Sequence, residues 1–176
     1  EALHDLATAQ ARIGDFPSAL NNYQKCLKFG ATRYELFYNI ARIYDELKRY
    51  DEAIAHYDKA ISLKPDYVVG WFNKGITLHA LKRYDEAIDN FNKVLSLKPN
   101  YHEAWNISGV IFHELKRYDE AIACYDKAIS LCSDYYLAWI NKGLTLQQLK
   151  CFDEAIVHYD KALNLRPDYA EGWSLK

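Results

Sequence analysis

The sequence repeats itself with a period of 34 residues, and this period constrains the fold more than any other feature. Shifted by one period, the stretch 68–101 falls on 102–135 without insertion or deletion, so that Trp71 meets Trp105. Internal similarity at a fixed period of this size is typical of stacked-repeat architectures. No linker interrupts the period, so we predict a single array over 1–176. Its units are predicted at 1–33, 34–67, 68–101, 102–135 and 136–169, with a partial first helix at 170–176.

Within one unit, the apolar residues follow two separate helical patterns. Trp71, Gly75 and Leu78 are spaced by four and three residues, which places them in one narrow stripe of a helix. The phase breaks at Arg83, and a second helical pattern starts at Ala87. Each unit is therefore predicted to be two antiparallel helices joined by a short turn.

Small residues recur in the middle of the predicted first helices. Gly75, Gly109 and Gly143 occupy one column, and Ala7 and Ala41 precede them in it. A glycine inside a helix costs about 1 kcal/mol relative to alanine. Since this cost is repeated, we expect the partner helix to approach the backbone closely at these positions.

These columns resemble the tetratricopeptide repeat, and the resemblance covers essentially the whole chain. The third unit carries the family's residues at the family's spacing, namely Trp71, Gly75, Leu78, Ala87, Phe91 and Pro99. Departures are mild; for example, Leu3 and Phe37 replace tryptophan. The resemblance implies an all-α fold, a right-handed α-solenoid or superhelix of stacked helix-turn-helix repeats, whose first helices line a concave groove.

Composition and motifs argue against several function classes. The net charge is −2 with both signs interspersed, which indicates neither a nucleic-acid-binding surface nor a membrane-binding patch. His79 and His113 share a column, so they should lie about 8–10 Å apart, too far for bonds of about 2 Å to one zinc ion. No phosphate loop or nucleophile elbow stands out. We predict a non-enzymatic protein without cofactor or metal.

The four cysteines occupy four different places in the repeat, so they are not part of its pattern. Cys124 and Cys132 should lie about 12 Å apart along one helix, whereas a disulfide needs Cα atoms within about 7 Å. We expect free thiols and a reducing, cytoplasmic location. The chain has no initiating methionine and starts and stops inside a repeat, so we expect it to be a piece of a longer protein.

The face opposite the packing stripe is the predicted binding surface. At 100° per residue from Trp71, Asn73 lies at about 200° and Ile76 at about 140°. Asn39, Asn73 and Asn141 form a column on this face, which Ile107 interrupts. An asparagine amide can both donate to and accept from a peptide backbone, and the column resembles the asparagine ladder of O-linked N-acetylglucosamine transferases. The alternative is that these amides only line a wet groove.

This face also changes from polar to apolar along the chain. Unit two presents Tyr38 and Arg42, whereas later units present Phe72 and Val110. An exposed apolar patch usually marks an interaction site; the alternative is that another part of the protein covers it. The predicted peptide-contacting residues are Asn39, Asn73, Asn141, Tyr38, Phe72, Ile76, Ile107, Val110, Ile140 and Leu144.

We therefore predict a protein-interaction scaffold that holds a peptide segment in the groove. A chaperone-tail clamp, known from another branch of the family, is not expected, because Phe72 and Ile76 stand where lysine and asparagine are required. Two alternatives stay open. The chain could be the substrate-recruiting region of a larger enzyme such as a glycosyltransferase, or it could self-assemble end to end, since Trp173 starts a helix that no second helix covers.

Overall fold

The structure is a computed structural model that describes residues 2–168, and it consists there of ten α-helices in five consecutive pairs, without strands. The helices are α1 (Ala2–Arg12), α2 (Phe16–Lys28), α3 (Tyr34–Glu46), α4 (Tyr50–Leu63), α5 (Val68–Ala80), α6 (Tyr84–Leu97), α7 (His102–Glu114), α8 (Tyr118–Leu131), α9 (Tyr136–Gln148) and α10 (Phe152–Leu165). The predicted two-helix unit is therefore confirmed. The chain divides into two compact parts, 1–93 and 94–176. They are called the first unit and the second unit below, and each contains more than one of the 34-residue repeats.

A lysine in the left-handed backbone conformation ends the first helix of most pairs. In the second repeat, Lys48 has φ 56° and donates its N–H to the carbonyl of Asp45 at 2.9 Å, while Arg49 donates to Tyr44 at 2.8 Å. These two bonds form a Schellman motif, whose left-handed residue is usually glycine. The corresponding residues elsewhere are Lys82, Lys116, Lys150 and, in the first repeat, Gly14.

The recurring segment Arg-Tyr-Asp-Glu-Ala marks the start of the second helices, as the sequence predicted. Asp51 and Glu52 lie in the first turn of α4, where negative charge is favoured by the helix dipole. Arg49 precedes the helix and donates from Nε to Glu52 at 2.9 Å. Arg117 and Glu120 make the equivalent pair at the start of α8. The segment is thus a helix start rather than a chemical motif.

The small column of the first helices lies against large buried rings of the second helices. In the first unit, a Cβ atom added to Gly75 would be 2.9 Å from Cζ of Phe91; in the second, one added to Gly109 would be 2.5 Å from Cε1 of Tyr125. Both rings are essentially inaccessible to solvent. The predicted close approach is confirmed, because real Cβ contacts are not this short.

The tryptophans tie the start of a first helix to the turn that precedes it. Trp71 is partly buried, and its indole Nε1 donates to the carbonyl of Pro65 at 2.9 Å. The second unit repeats this bond twice, from Trp105 to Pro99 at 3.1 Å and from Trp139 to Ser133 at 3.0 Å. The tryptophan column is thus structural where it is described. Trp173, on which the predicted self-association rests, lies outside the described residues.

The four cysteines are unpaired thiols; Cys26 and Cys124 are buried, and Cys132 and Cys151 are partly buried. Burial raises the pKa of Cys124 to about 11, so this thiol is protonated at neutral pH. A thiol in this state is a poor nucleophile. Among the helices described, none has both the length and the apolar character that a membrane span requires.

Candidate peptide-binding face

The predicted binding surface corresponds to two groups of side chains, one in each compact unit. The α3–α5 face consists of Glu35, Tyr38, Asn39, Arg42, Val69, Phe72, Asn73 and Ile76. The α7–α9 face consists of Ile107, Val110, Leu137, Asn141 and Leu144, with Asn106 and Ile140 at its edge.

Two aliphatic side chains of α5 are well exposed on the α3–α5 face. Val69 is 41% and Ile76 is 39% exposed. Phe72 is partly buried, since its ring meets the edge of Phe91 at a centroid distance of 5.7 Å. Val69 and Ile76 therefore project from α5, and α5 itself packs through Phe72 against the buried ring of Phe91 on α6.

The asparagine column is partly used within the protein. Asn73 donates from Nδ2 to the hydroxyl of Tyr38 at 2.7 Å, which joins α5 to α3. Burial raises the pKa of the Tyr23 hydroxyl, and the amide of Asn39 is among the groups that oppose this rise. An amide has two N–H donors and a carbonyl oxygen, so Asn73 keeps one N–H and its oxygen for another partner.

In the second unit, Asn141 donates from Nδ2 to Oδ1 of Asn106 at 3.0 Å. Asn106 is only 5% exposed, so this bond is internal. The structure corrects the prediction at Ile140, which is 3% exposed and not available on the face. Phe72 follows its own tryptophan by one residue, as Ile140 does, and is partly exposed. The burial of Ile140 therefore comes from its neighbours in the second unit and not from its position on the helix.

The predicted apolar patch is also more covered in the second unit than in the first. Ile107, Val110 and Leu144 are all partly buried. Leu144 packs against a buried cluster that contains Leu146 and Tyr159. The α7–α9 face therefore presents parts of these side chains, whereas α5 presents Val69 and Ile76 with larger exposure.

A carboxylate that the sequence analysis did not single out lies beneath the α3–α5 face. Tyr57 donates its hydroxyl to Oδ2 of Asp45 at 2.5 Å, and the Thr77 hydroxyl lies 2.8 Å from Oδ1. Burial raises the pKa of Asp45, while these two hydroxyl groups oppose the rise. The carboxylate thus links α3 to its own second helix and to α5.

A related polar link is present in the second unit. Nδ1 of His113 lies 2.8 Å from the hydroxyl of Thr145, which itself donates to the carbonyl of Asn141 at 2.9 Å. Because the hydroxyl has one proton, His113 must be the donor in the first bond. Burial lowers the pKa of His113, which favours the neutral ring with its proton on Nδ1.

The histidines of the first helices contact tyrosines of their own repeats. The ring centroids of His79 and Tyr84 are 5.9 Å apart, and those of His113 and Tyr118 are 5.5 Å apart. Across residues 2–168, no group of three or more histidine, cysteine, aspartate or glutamate side chains could hold a metal ion. The polar side chains described above serve contacts between helices.

Comparison with protein families and structures places this geometry among known proteins. A family model described as "Tetratricopeptide repeat" matches residues 34–67, 68–101 and 136–169. A second model, described as "TPR repeat", matches residues 109–150. The three ranges of the first model coincide with three of the repeats that the period defines, whereas the range of the second model crosses the boundary between two repeats.

Solved structures with this fold cover nearly the whole chain. MamA is 24% identical with a TM-score of 0.86, over 94% of this chain and 96% of its own. YrrB, described as a TPR protein with an unusual peptide-binding site, is 20% identical with a TM-score of 0.81, over 98% of this chain and 89% of its own. These likenesses show the fold, an all-α helical-repeat solenoid.

A curated relative matches a shorter stretch. Hsp70-Hsp90 organizing protein 2 of Arabidopsis thaliana is 37% identical over 57 residues, which is 32% of this chain. The matched stretch spans 10% of the length of that relative. The similarity therefore extends over less than two of the 34-residue repeats.

Proposed function

Because the chain belongs to the tetratricopeptide repeat family, we propose that it is a non-enzymatic scaffold whose first-helix faces bind a peptide segment of a partner protein. Repeats of this kind generally serve as interaction scaffolds rather than as catalysts. The observation that carries the proposal is the exposure of Val69 and Ile76, at 41% and 39%, on one helix. Aliphatic side chains grouped in this way favour a partner with apolar side chains.

Asn73 supplies the polar part of the proposed contact. It lies on α5 between Val69 and Ile76 and directs one N–H to Tyr38. Its second N–H and its carbonyl oxygen match the C=O and N–H of a peptide unit. An extended ligand would therefore place apolar side chains on the aliphatic residues and its backbone on the amide.

Two of the similar proteins are consistent with a peptide or protein ligand. The YrrB structure is described as having a peptide-binding site, and the matched relative from Arabidopsis is named as an organizer of two heat-shock proteins. We extend only the general class of ligand to this chain. A reducing, cytoplasmic location is part of the proposal, and the four unpaired thiols support it.

The test is a selection of random twelve-residue peptides on the wild-type protein, followed by affinity measurements on variants. We expect Ile76→Asp to weaken the binding of the selected peptides by about tenfold or more, because a bound peptide would cover the new carboxylate and leave it without a partner. Leu63→Asp is the matched control, since Leu63 is 48% exposed on the second helix α4. Equal affinity for both variants, or no enriched peptide, would contradict the proposal.

A further inference from the structure

A cleft in the first unit lies at the junction of the first two repeats, where the repeat pattern lacks one of its aromatic side chains. The cleft has a volume of about 510 Å³ and lies between the start of α1, the end of α2 and the segment 29–33 that leads into α3. Volumes of this size are typical of sites that bind small ligands. The cleft shares no residue with the α3–α5 face, so it is a separate candidate site.

The next junction of the first unit shows which groups occupy this place one period later. The ring of Tyr67 lies against the rings of Tyr34 and Tyr38, at centroid distances of 4.8 and 5.2 Å. The ammonium group of Lys64 lies 4.4 Å from the centre of the Tyr34 ring and 5.7 Å from that of Tyr67. Tyrosine rings and a cation therefore fill the next junction together.

The first junction has a cation but no ring at the place of Tyr67. Arg33 stands one period before Tyr67, and Gly30 stands one period before Lys64. Both Arg33 and Gly30 line the cleft, and both are exposed. Within residues 2–168, the guanidinium of Arg33 has no hydrogen bond, ion pair or aromatic ring as a partner. A guanidinium attracts the face of an aromatic ring that lies within about 6 Å, so the missing group is the one that Arg33 would bind.

A leucine fills only part of the space. In the next junction, a Cβ atom added to Gly70 would lie 2.8 Å from Cδ1 of Tyr67, so the ring lies where a side chain would be. Leu36 stands one period before Gly70, lines the cleft and is buried. The other walls include Leu3 and the ring of Phe29, which is 84% exposed. Apolar walls, an aromatic rim and a cation without a partner favour a flat aromatic ligand.

We propose that this cleft, the Arg33 cleft, binds a planar aromatic ring whose face contacts the guanidinium of Arg33. The ring takes the place that the ring of Tyr67 has in the next junction. It belongs either to a small aromatic molecule or to an aromatic side chain of a partner protein. The inference does not rest on the proposed function, because the two sites have no residue in common.

The experiment is a titration with 4-methylphenol, the side chain of tyrosine without its backbone, followed by nuclear magnetic resonance. We expect saturable shifts of the Thr32 and Leu36 amide signals, with a dissociation constant of about 1 mM. Nuclear Overhauser contacts should connect the ring protons to the methyl groups of Leu3 and Leu36. The matched control is 4-methylcyclohexanol, which has nearly the same size and the same hydroxyl group but no aromatic face. It should bind at least about threefold more weakly.

A third probe, N-acetyltyrosine amide, distinguishes the two sources of the ring. It should bind at least as tightly as 4-methylphenol if a side chain of a partner protein is the ligand, because the cleft must then leave room for a backbone. If it does not displace 4-methylphenol, the ring belongs to a small molecule.

Four variants locate the binding site. Arg33→Gln should weaken the binding of 4-methylphenol by about threefold, since it removes the cation. Arg33→Tyr combined with Leu36→Ala introduces the ring and the small residue that Tyr135 and Ala138 supply in a later repeat. The protein's own ring should then fill the cleft, and binding should be lost. Leu36→Ala alone enlarges the cleft and should bind at least as tightly as the wild type. Ile76→Asp, on the separate α3–α5 face, should leave binding unchanged.

The inference is overturned if 4-methylphenol causes no saturable shift, if 4-methylcyclohexanol binds as tightly, or if Ile76→Asp abolishes binding. It is also overturned if the double variant has the helical circular dichroism of the wild type and still binds. Should the double variant fail to fold, Arg33→Gln and the nuclear Overhauser contacts decide. Unchanged affinity of Arg33→Gln, or ring contacts to residues outside the cleft, then overturns the inference.

Discussion

The side-chain amide of Asn73 donates to the hydroxyl of Tyr38 at 2.7 Å, across 35 residues of sequence. The bond joins the first helices of neighbouring repeats inside the first unit. The second unit contains the same relationship between Asn141 and Asn106, at 3.0 Å. The column that resembles a ladder for peptide backbones thus also connects adjacent repeats.

Tyr38→Phe should therefore lower the free energy of unfolding by about 1 kcal/mol, the typical net value of one hydrogen bond. Urea denaturation followed by circular dichroism measures the change. The variant keeps the amide of Asn73 and should still bind the selected peptides, whereas Asn73→Ala should lose both stability and affinity. If Asn73→Ala binds those peptides as the wild type does, the amide has only a structural role.

Lys48→Gly should stabilise the protein by about 0.5–1 kcal/mol. A non-glycine residue with left-handed backbone costs about 1–2 kcal/mol, and the entropy of glycine in the unfolded chain removes part of the gain. Lys48 has φ 56°. The midpoint of urea denaturation should rise accordingly.

The reverse change, Gly14→Lys, is the matched control because Gly14 has φ 82° and a Cβ atom there would meet no neighbour within 4 Å. The loss of stability should therefore come from the backbone alone. A lower midpoint for Lys48→Gly would contradict the strain argument.

Gly109→Ala should destabilise the protein by about 1–3 kcal/mol, the usual cost of overpacking a core. The new methyl group would lie 2.5 Å from the ring of Tyr125. The double variant Gly109→Ala with Tyr125→Leu should lose less than the sum of the two single variants, because the shorter side chain makes room. Thermal unfolding of the four proteins measures this coupling, and strict additivity would show that the ring is not the obstacle.

The stability of the protein should fall as the pH falls below about 6.5, in part because of His56. Burial lowers the pKa of His56, so the folded state binds this proton less readily than the unfolded state does. The stabilising contribution is complete above the unfolded pKa and is lost as the pH falls towards the folded one. His113 contributes in the same direction, since burial also lowers its pKa.

His56→Asn isolates the first contribution without loss of the local hydrogen bond. His56 bonds through Nδ1 to the carbonyl of Glu52 at 2.8 Å, and Asn90, one period later, donates to the carbonyl of Glu86 at 2.7 Å. The variant should therefore show a shallower decline of the unfolding free energy between about pH 7 and pH 5. A decline as steep as that of the wild type would contradict the assignment to His56.

The fold could be predicted because the residues that determine it recur from one 34-residue repeat to the next. A glycine such as Gly75 reveals little by itself, but its recurrence at Gly109 indicates a constraint on the backbone, and the rings of Phe91 and Tyr125 are that constraint. The phase break at Arg83 likewise located the turn before α6. The pattern recurs over five repeats, so these features were visible in the sequence without coordinates.

The candidate site could be predicted only in part, because its details do not recur. Ile140 is buried by its particular neighbours, while Phe72 in the same column is partly exposed. The link from Asp45 to Thr77 depends on residues that change from one repeat to the next. A helical wheel describes one helix and contains no information about such neighbours.

The polar links beneath the first helices also affect the order in which the helix pairs of a repetitive chain stack on one another during folding. Hairpins with nearly the same sequence could stack in the wrong succession, since their apolar surfaces are almost interchangeable. Thr77 satisfies the carboxylate of Asp45, whereas the hairpin one period later has Ile111 at that position. A misplaced hairpin would leave the half-buried carboxylate of Asp45 against a hydrocarbon side chain and without one of its two hydroxyl partners, which would destabilise that arrangement. These few polar residues therefore favour the native order of stacking among helix pairs whose apolar surfaces are otherwise similar.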